Sequence, residues 1–243
     1  MKIYQYLKYL CTNKIYSQMN MFSPCTNKIY SQMNMFPPII SIEGNIGSGK
    51  TTFIKYLKNK QIKNIKILYL EEPIHLFEKY KNHNPLELLS ESPFAVQYHI
   101  LNSIINYYSF FEREITAYEL VITDRFINSP IIFINTLYEC KKLNSFEKDI
   151  LHEIFEKQNK TIFSTPSKIF YMDCPVNICL ERIKTRNRES EKNTSEIYLQ
   201  ILENNYIQYL ETCKNNVWSI DSSKSTRLSE LESLFLTLIK DVM

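Results

Sequence analysis

Glycine is nearly missing from this chain of 243 residues: there are three, Gly44, Gly47 and Gly49, and they fall within six positions. With none after Gly49, the chain has no D-x-x-G switch, and it also lacks the guanine-reading N-K-x-D motif, so a regulatory GTPase is excluded. No run approaches the roughly 18 uninterrupted apolar residues of a membrane span, so no membrane partner is expected. The formal charge of +3 is small for this length and gives no reason to expect a nucleic-acid partner. The six cysteines, Cys11, Cys25, Cys140, Cys174, Cys179 and Cys213, form no C-x-x-C pair, and no histidine spacing completes a zinc site. A secretory signal with a clear apolar segment and cleavage site is also missing. Reduced thiols in a cytoplasmic protein are the expectation.

What is present begins with a repeat. Cys11–Phe22 reads CTNKIYSQMNMF, and Cys25–Phe36 repeats the same letters with a period of 14. Two copies of a polar 14-mer cannot bury a core, whereas stacked repeat folds use three or more longer units. Residues 1–37 are therefore expected to be a mobile extension, and residues 38–243 the folded domain. A mitochondrial targeting peptide is the competing reading, because the first 42 residues hold four lysines and no acid. The lack of arginine there weakens it.

From Pro38 the pattern changes to short β-branched runs alternating with longer helical ones. Strands are expected at Ile39–Glu43, Ile67–Glu71, Leu120–Thr123, Lys168–Met172 and Val217–Ile220. Helices are expected at Lys50–Asn59, Phe94–Tyr118, Pro130–Lys141, Ser145–Gln158, Pro175–Arg186, Ser195–Cys213 and Arg227–Val242. This alternation, with nearly continuous apolar strands, argues an α/β fold: a three-layer sandwich of the P-loop NTPase type, with a five-stranded parallel sheet covered on both faces. Right-handed crossovers place every strand's C-terminal end on one edge, where ligands bind.

The three glycines carry the first chemical signal. Gly44, Asn45, Ile46, Gly47, Ser48, Gly49, Lys50 and Thr51 spell G-x-x-x-x-G-K-[ST], and Thr52 continues the expected ATP-binding segment. Backbone amides must turn inward around phosphate oxygens, and glycine permits the required positive φ. Lys50 is expected on the β- and γ-phosphates, and the Thr51 hydroxyl on Mg²⁺. An apolar strand precedes the loop and a helix follows, so a helix N-terminus faces the anion.

Further features appear in order after the loop: Glu72-Pro73, Gln97, Asp124-Arg125 and the basic run Arg182-x-x-x-Arg186-x-Arg188-x-x-Glu191. With the loop version IEGNIGSGKTTF, this set resembles the deoxyribonucleoside kinases over Ile39 to Asp221. The resemblance implies ATP-dependent phosphorylation of a deoxynucleoside 5′-hydroxyl in nucleotide salvage, with ATP as donor, Mg²⁺ as cofactor and a homodimer as the assembly. It implies Glu72 as catalytic base, with Glu71 the nearest alternative but lacking the proline context. Lys50 and Arg125 complete the catalytic set. Gln97 would read the base edge, and Asp124 would join Thr51 at the metal. Arg182, Arg186 and Arg188 would be a lid over the phosphates, spanning about residues 182–194, and Glu191 would hold the sugar 3′-hydroxyl.

Departures from the family pattern bear on the substrate. Positions that carry charge in deoxycytidine kinase are Ile104 and Pro130 here, so with Ile100 the wall beside the base becomes apolar. An apolar wall tolerates a 5-methyl group, which favours thymidine and deoxycytidine. The family's tyrosine for the 3′-hydroxyl falls near Ser90, in a segment that matches poorly between Leu86 and Phe94. Phe126 follows the Asp-Arg pair where cellular members usually have serine. Two other readings compete: a thymidylate or other nucleoside monophosphate kinase, and an inactive nucleotide-binding interaction module.

Overall fold

Short β-branched runs dictate the strands of the computed structural model: β1 (Ile39–Glu43), β2 (Ile67–Leu70), β3 (Leu120–Asp124), β4 (Lys168–Asp173) and β5 (Val217–Asp221). The structure describes residues 36–243 except 61, 63–64, 79, 81–82, 159–165 and 225–227. Apart from Phe36, both copies of the repeat lie outside the described residues, and so do their readings as an extension or a targeting peptide.

All strands pair in parallel in the order β2-β3-β1-β4-β5. Ile40 of β1 is level with Ile122 of β3, and Ile42 with Phe170 of β4. The chain builds β2 and β3 on one side of β1 and β4 and β5 on the other. The C-terminal end of β1 is thus a topological switch point, where open α/β sheets bind ligands. Among the described residues there are eight α-helices: α1 (Lys50–Lys60), α2 (Ile74–Glu78), α3 (Pro93–Phe111), α4 (Ser129–Glu139), α5 (Ser145–Gln158), α6 (Val176–Arg186), α7 (Glu196–Thr212) and α8 (Leu228–Val242). This is the expected α/β architecture.

Side-chain alternation along the strands sorts the two faces. On one face Ile40, Ile42, Phe170 and Met172 pack with Phe53 and Leu57 of α1 and Phe235 and Leu238 of α8. Three rings, Phe53, Phe170 and Phe235, meet there with centroids 5.1 to 5.6 Å apart. Burying each ring contributes on the order of 1.5–3 kcal/mol. The other face packs Ile169 and Tyr171 against Ile132 of α4 and Leu202 and Tyr206 of α7. The same alternation turns Ser41 and Glu43 of β1 to this second face, where both are fully buried.

Two details differ from the sequence reading. The helix expected over Phe94–Tyr118 ends at Phe111, and a 3-10 turn at Ile115–Ala117 follows. Ile115 is fully buried, so the chain must turn there to enter β3. Two short elements also appear, α2 and a 3-10 turn at Pro85–Ser90, which Asn84 caps by accepting from Leu86 N at 3.2 Å. Among the described residues no helix is long and apolar enough to cross a membrane. Cys140, Cys174, Cys179 and Cys213 are free thiols.

Candidate active site

β1 runs directly into the glycine loop and α1 leaves it. Gly44, Gly47 and Gly49 have φ of 146°, 84° and 102°, a region that side chains rarely enter. At Gly44 and Gly47 space forbids side chains as well. A Cβ on Gly44 would lie 2.7 Å from Met172 O, and one on Gly47 would lie 2.5 Å from Cys179 O on α6. Asn45 ties the loop to α7: its Nδ2 donates to Leu199 O at 2.9 Å, while its Oδ1 accepts from Ile46 N at 2.8 Å. Lys50 is buried and donates to Gly44 O at 2.8 Å and Asn45 O at 2.7 Å, and it also lies 3.3 Å from Ser48 Oγ. Burial first, and the Arg125 charge second, lower its pKa to about 7.

The Thr51 hydroxyl donates to Asp124 Oδ2 at 2.9 Å. Asp124 Oδ1 is buried with no hydrogen-bond partner in the structure, so a carboxylate oxygen remains unsatisfied beside the loop. Burial, and then the charge of Glu72, raise the Asp124 pKa. A hydroxyl beside one carboxylate fits Mg²⁺, which takes few protein ligands and completes its shell with phosphates and water. Among the described residues no group of three or more His, Cys, Asp or Glu is arranged to hold a metal.

Glu72 follows β2 and Arg125 follows β3, so parallel pairing brings them to one edge. Arg125 Nη1 donates to Glu72 Oε2 at 2.6 Å. Arg125 adopts φ 64°, a left-handed conformation that costs a non-glycine residue on the order of 1–3 kcal/mol. Its surroundings hold it there. Its N donates to Ile42 O at 3.1 Å, its O accepts from Tyr108 Oη at 2.9 Å, and its Nε donates to Tyr206 Oη at 3.2 Å. Its guanidinium also lies 5.1 Å from the centre of the Phe133 ring. Burial opposes the charge, but Glu72, Tyr206 and Asp124 more than offset it, so the Arg125 pKa is raised. Glu71, the alternative acid, pairs instead with Lys58 of α1.

These groups face a cleft of about 590 Å³, within the range of small-molecule sites. Ile46, Gly47, Gly49, Lys50, Thr51 and Thr52 line its phosphate end, with Asp124, Glu72 and Arg125 beside them. Gln97, Ile100, Ile104 and Pro130 also line the cleft. Gln97 is 4% exposed and its Oε1 has no hydrogen-bond partner in the structure. A buried amide oxygen without a partner is costly, and Gln97 is one of the residues that line the cleft. Tyr108, Phe126 and Phe133 add to the apolar wall, and Leu86, Leu89 and Ser90 of the 3-10 turn close another side.

The arginines divide into two groups. Arg186, Arg188 and Glu191 line the cleft, and the Glu191 carboxylate is gripped by both Arg186 Nε and Nη2 at 2.6 Å. Arg188 lies 3.7 Å from the same carboxylate. Arg182 instead braces the loop from behind. Its Nη1 donates to Ser48 O at 3.1 Å, and its Nη2 donates to Ser222 O and Ser223 O at 2.9 Å.

Sequence reasoning missed Glu43, Ser129 and Tyr206. Glu43 accepts from Ser41 Oγ at 2.7 Å, Phe126 N at 2.8 Å, Ser129 Oγ at 2.9 Å and Tyr206 Oη at 3.3 Å. Burial raises its pKa, against the pull of the Ser41 hydroxyl, Arg125, the Ser129 hydroxyl and Lys50. The available signal was an acid closing an apolar strand that must be buried on both faces.

A family model described as deoxynucleoside kinase matches residues 40–242. The mitochondrial thymidine kinase 2 of Homo sapiens is 26% identical over 177 residues, covering 71% of this chain and 64% of that protein. A deoxyadenosine kinase of Dictyostelium discoideum is 30% identical over 177 residues, covering 71% of this chain and 66% of that protein. The chain thus spans slightly under two thirds of the length of these relatives. A solved deoxyadenosine kinase of M. mycoides with bound dCTP superposes with a TM-score of 0.64 at 20% identity, over 82% of this chain and 98% of that one.

Proposed function

Because the chain belongs to the deoxynucleoside kinase family, we propose that it phosphorylates the 5′-hydroxyl of a pyrimidine deoxynucleoside, thymidine or deoxycytidine, with ATP as donor. One observation carries this reading: the Glu72–Arg125 pair and the Lys50–Thr51–Asp124 group open onto the same cleft. A base and a phosphate-binding loop on one edge are what transfer from a triphosphate to a hydroxyl requires.

In this reading Arg125 fixes the Glu72 carboxylate where it takes the proton of the 5′-hydroxyl. The 5′-oxygen forms its bond to the γ-phosphorus as the bond from that phosphorus to the β–γ bridging oxygen breaks, and ADP leaves. Lys50 and the loop amides, with Arg186 and Arg188, stabilise the charge on the moving phosphoryl group. Thr51 and Asp124 would hold Mg²⁺, which supplies charge neutralisation on the phosphates when bound. Glu191 exchanges its ion pair with Arg186 for the sugar 3′-hydroxyl as the lid arginines turn to the phosphates.

The names of the relatives include both thymidine and deoxyadenosine kinases, so the base is argued from the pocket. Gln97 offers an acceptor and donors to a base edge, and Ile100, Ile104 and Pro130 offer an apolar wall. No charged group on that wall selects an exocyclic amine. We further propose that the protein acts as a homodimer. Labelled phosphate transfer from ATP to four deoxynucleosides and to thymidine monophosphate tests the substrate. Turnover of thymidine and deoxycytidine is expected. Turnover of purines alone, or preference for the monophosphate, would overturn the assignment.

A further inference from the structure

Four donors converge on the carboxylate of Glu43, a fully buried acid one residue before the glycine loop. A carboxylate has about four acceptor positions, so this one is close to saturated. Two of its partners touch Arg125 from opposite ends. Phe126 N belongs to the next residue in the chain, so Glu43 holds the main chain that leaves Arg125 in its left-handed conformation. Tyr206 Oη lies between Glu43 Oε2 at 3.3 Å and Arg125 Nε at 3.2 Å. Arginine cannot accept a hydrogen bond, so Tyr206 must accept from Arg125 and give its own proton to Glu43. The acid therefore sets the direction of the hydroxyl, and the hydroxyl sets the guanidinium that meets Glu72 at 2.6 Å.

We infer that Glu43 is a positioning residue for phosphoryl transfer, acting through Arg125 at both its main chain and its side chain. Glutamine at position 43 would bring an NH₂ group where two carboxylate oxygens now accept. Either the Tyr206 proton would then lose its acceptor, or Phe126 N would keep only Ser129 Oγ at 3.1 Å. Tyr206→Phe cuts only the side-chain route, at a site where the ring stays packed. The inference rests on the role proposed above for Arg125.

The experiment compares Glu43→Gln, Tyr206→Phe and Arg125→Ala, alone and combined. It measures phosphate transfer to the preferred deoxynucleoside, ATP affinity by calorimetry, and the protection of the Arg125 Nε proton by NMR. Expected is a kcat loss of about 10- to 100-fold for Glu43→Gln, as for other supporting partners of a reactive group, with a smaller loss for Tyr206→Phe. ATP affinity should stay within about twofold, and neither change should add appreciably to the loss in Arg125→Ala, because all three act through one group. Losses that add fully in the combined variants, or an unchanged kcat in both single variants, would overturn the inference while Arg125→Ala remains impaired. An unimpaired Arg125→Ala overturns the role of Arg125 itself, and with it the inference. The Nε proton needs no turnover: protected in the parent protein and exposed in Glu43→Gln, it supports the positioning even if the proposed reaction fails. Equal protection in both overturns it.

Discussion

The two walls of the cleft are built on different principles. The phosphate wall is held by main chain and buried contacts: loop glycines against Met172 O and Cys179 O, Asn45 against α7, and Arg182 on four carbonyl oxygens. The lid wall is held by side chains against one another: Arg186 and Arg188 are 33% and 43% exposed, and both engage Glu191. The arginine sides of these pairs reach solvent, so water can take over their hydrogen bonds when partners are exchanged. In the proposed reaction the fixed wall would meet the ligand portion that never varies, the phosphates. The exchangeable wall suits a step in which partners must change.

The strongest test of this contrast falls where the walls meet. Glu72→Gln should lower kcat about 10²- to 10⁴-fold, the usual loss on removing a general base, with ATP binding by calorimetry unchanged. On the fixed wall, Lys50→Met should lower kcat about 10²- to 10³-fold. It should also abolish a proton effect. With its pKa near 7, Lys50 is largely neutral at pH 8. Phosphates favour its charged form, so ATP binding at pH 8 takes up a proton. The binding enthalpy should therefore depend on the buffer in the parent protein and much less in Lys50→Met. Gln97→Ala should cost about 1–3 kcal/mol in kcat/KM for the preferred base and narrow the gap between bases in the same assay. On the lid, Glu191→Gln should shift unfolding free energy by no more than about 1 kcal/mol while raising KM for the deoxynucleoside. A large loss of stability there would show the lid to be as fixed as the loop.

Much of this architecture was legible in the chain. Short, nearly continuous apolar runs gave the five strands within a residue, and the glycine loop followed the first of them as its chemistry demands. Glu72, Asp124 and Arg125 fall together because parallel strands share an edge, and Gln97 joins the same cleft from α3. Short elements escaped. α2 has five residues, too few to show a helical period, although Asn84-Pro85 was a readable start for the turn that follows. The network around Glu43 was not legible, because it depends on strand and helix register between distant segments. Phe126 is 83 residues from Glu43, and Tyr206 is 163. The division of Arg182 from Arg186 was equally hidden. Both lie on one helix four residues apart, and only the packing against the loop says which one faces inward.

The contact at Gly47 makes α6 a lever with its fulcrum on the phosphate loop. Cys179 bears on the loop near one end of this helix, and the other end is Arg186, followed by Asn187 with φ 49°. The aim of the lid arginines is therefore geared to the seating of the loop. A side chain at position 47 would press on α6 at Cys179 and strain the helix that carries Arg186. In the proposed reaction, an alteration made at the loop for the donor's phosphates would thus be felt as misalignment at the acceptor.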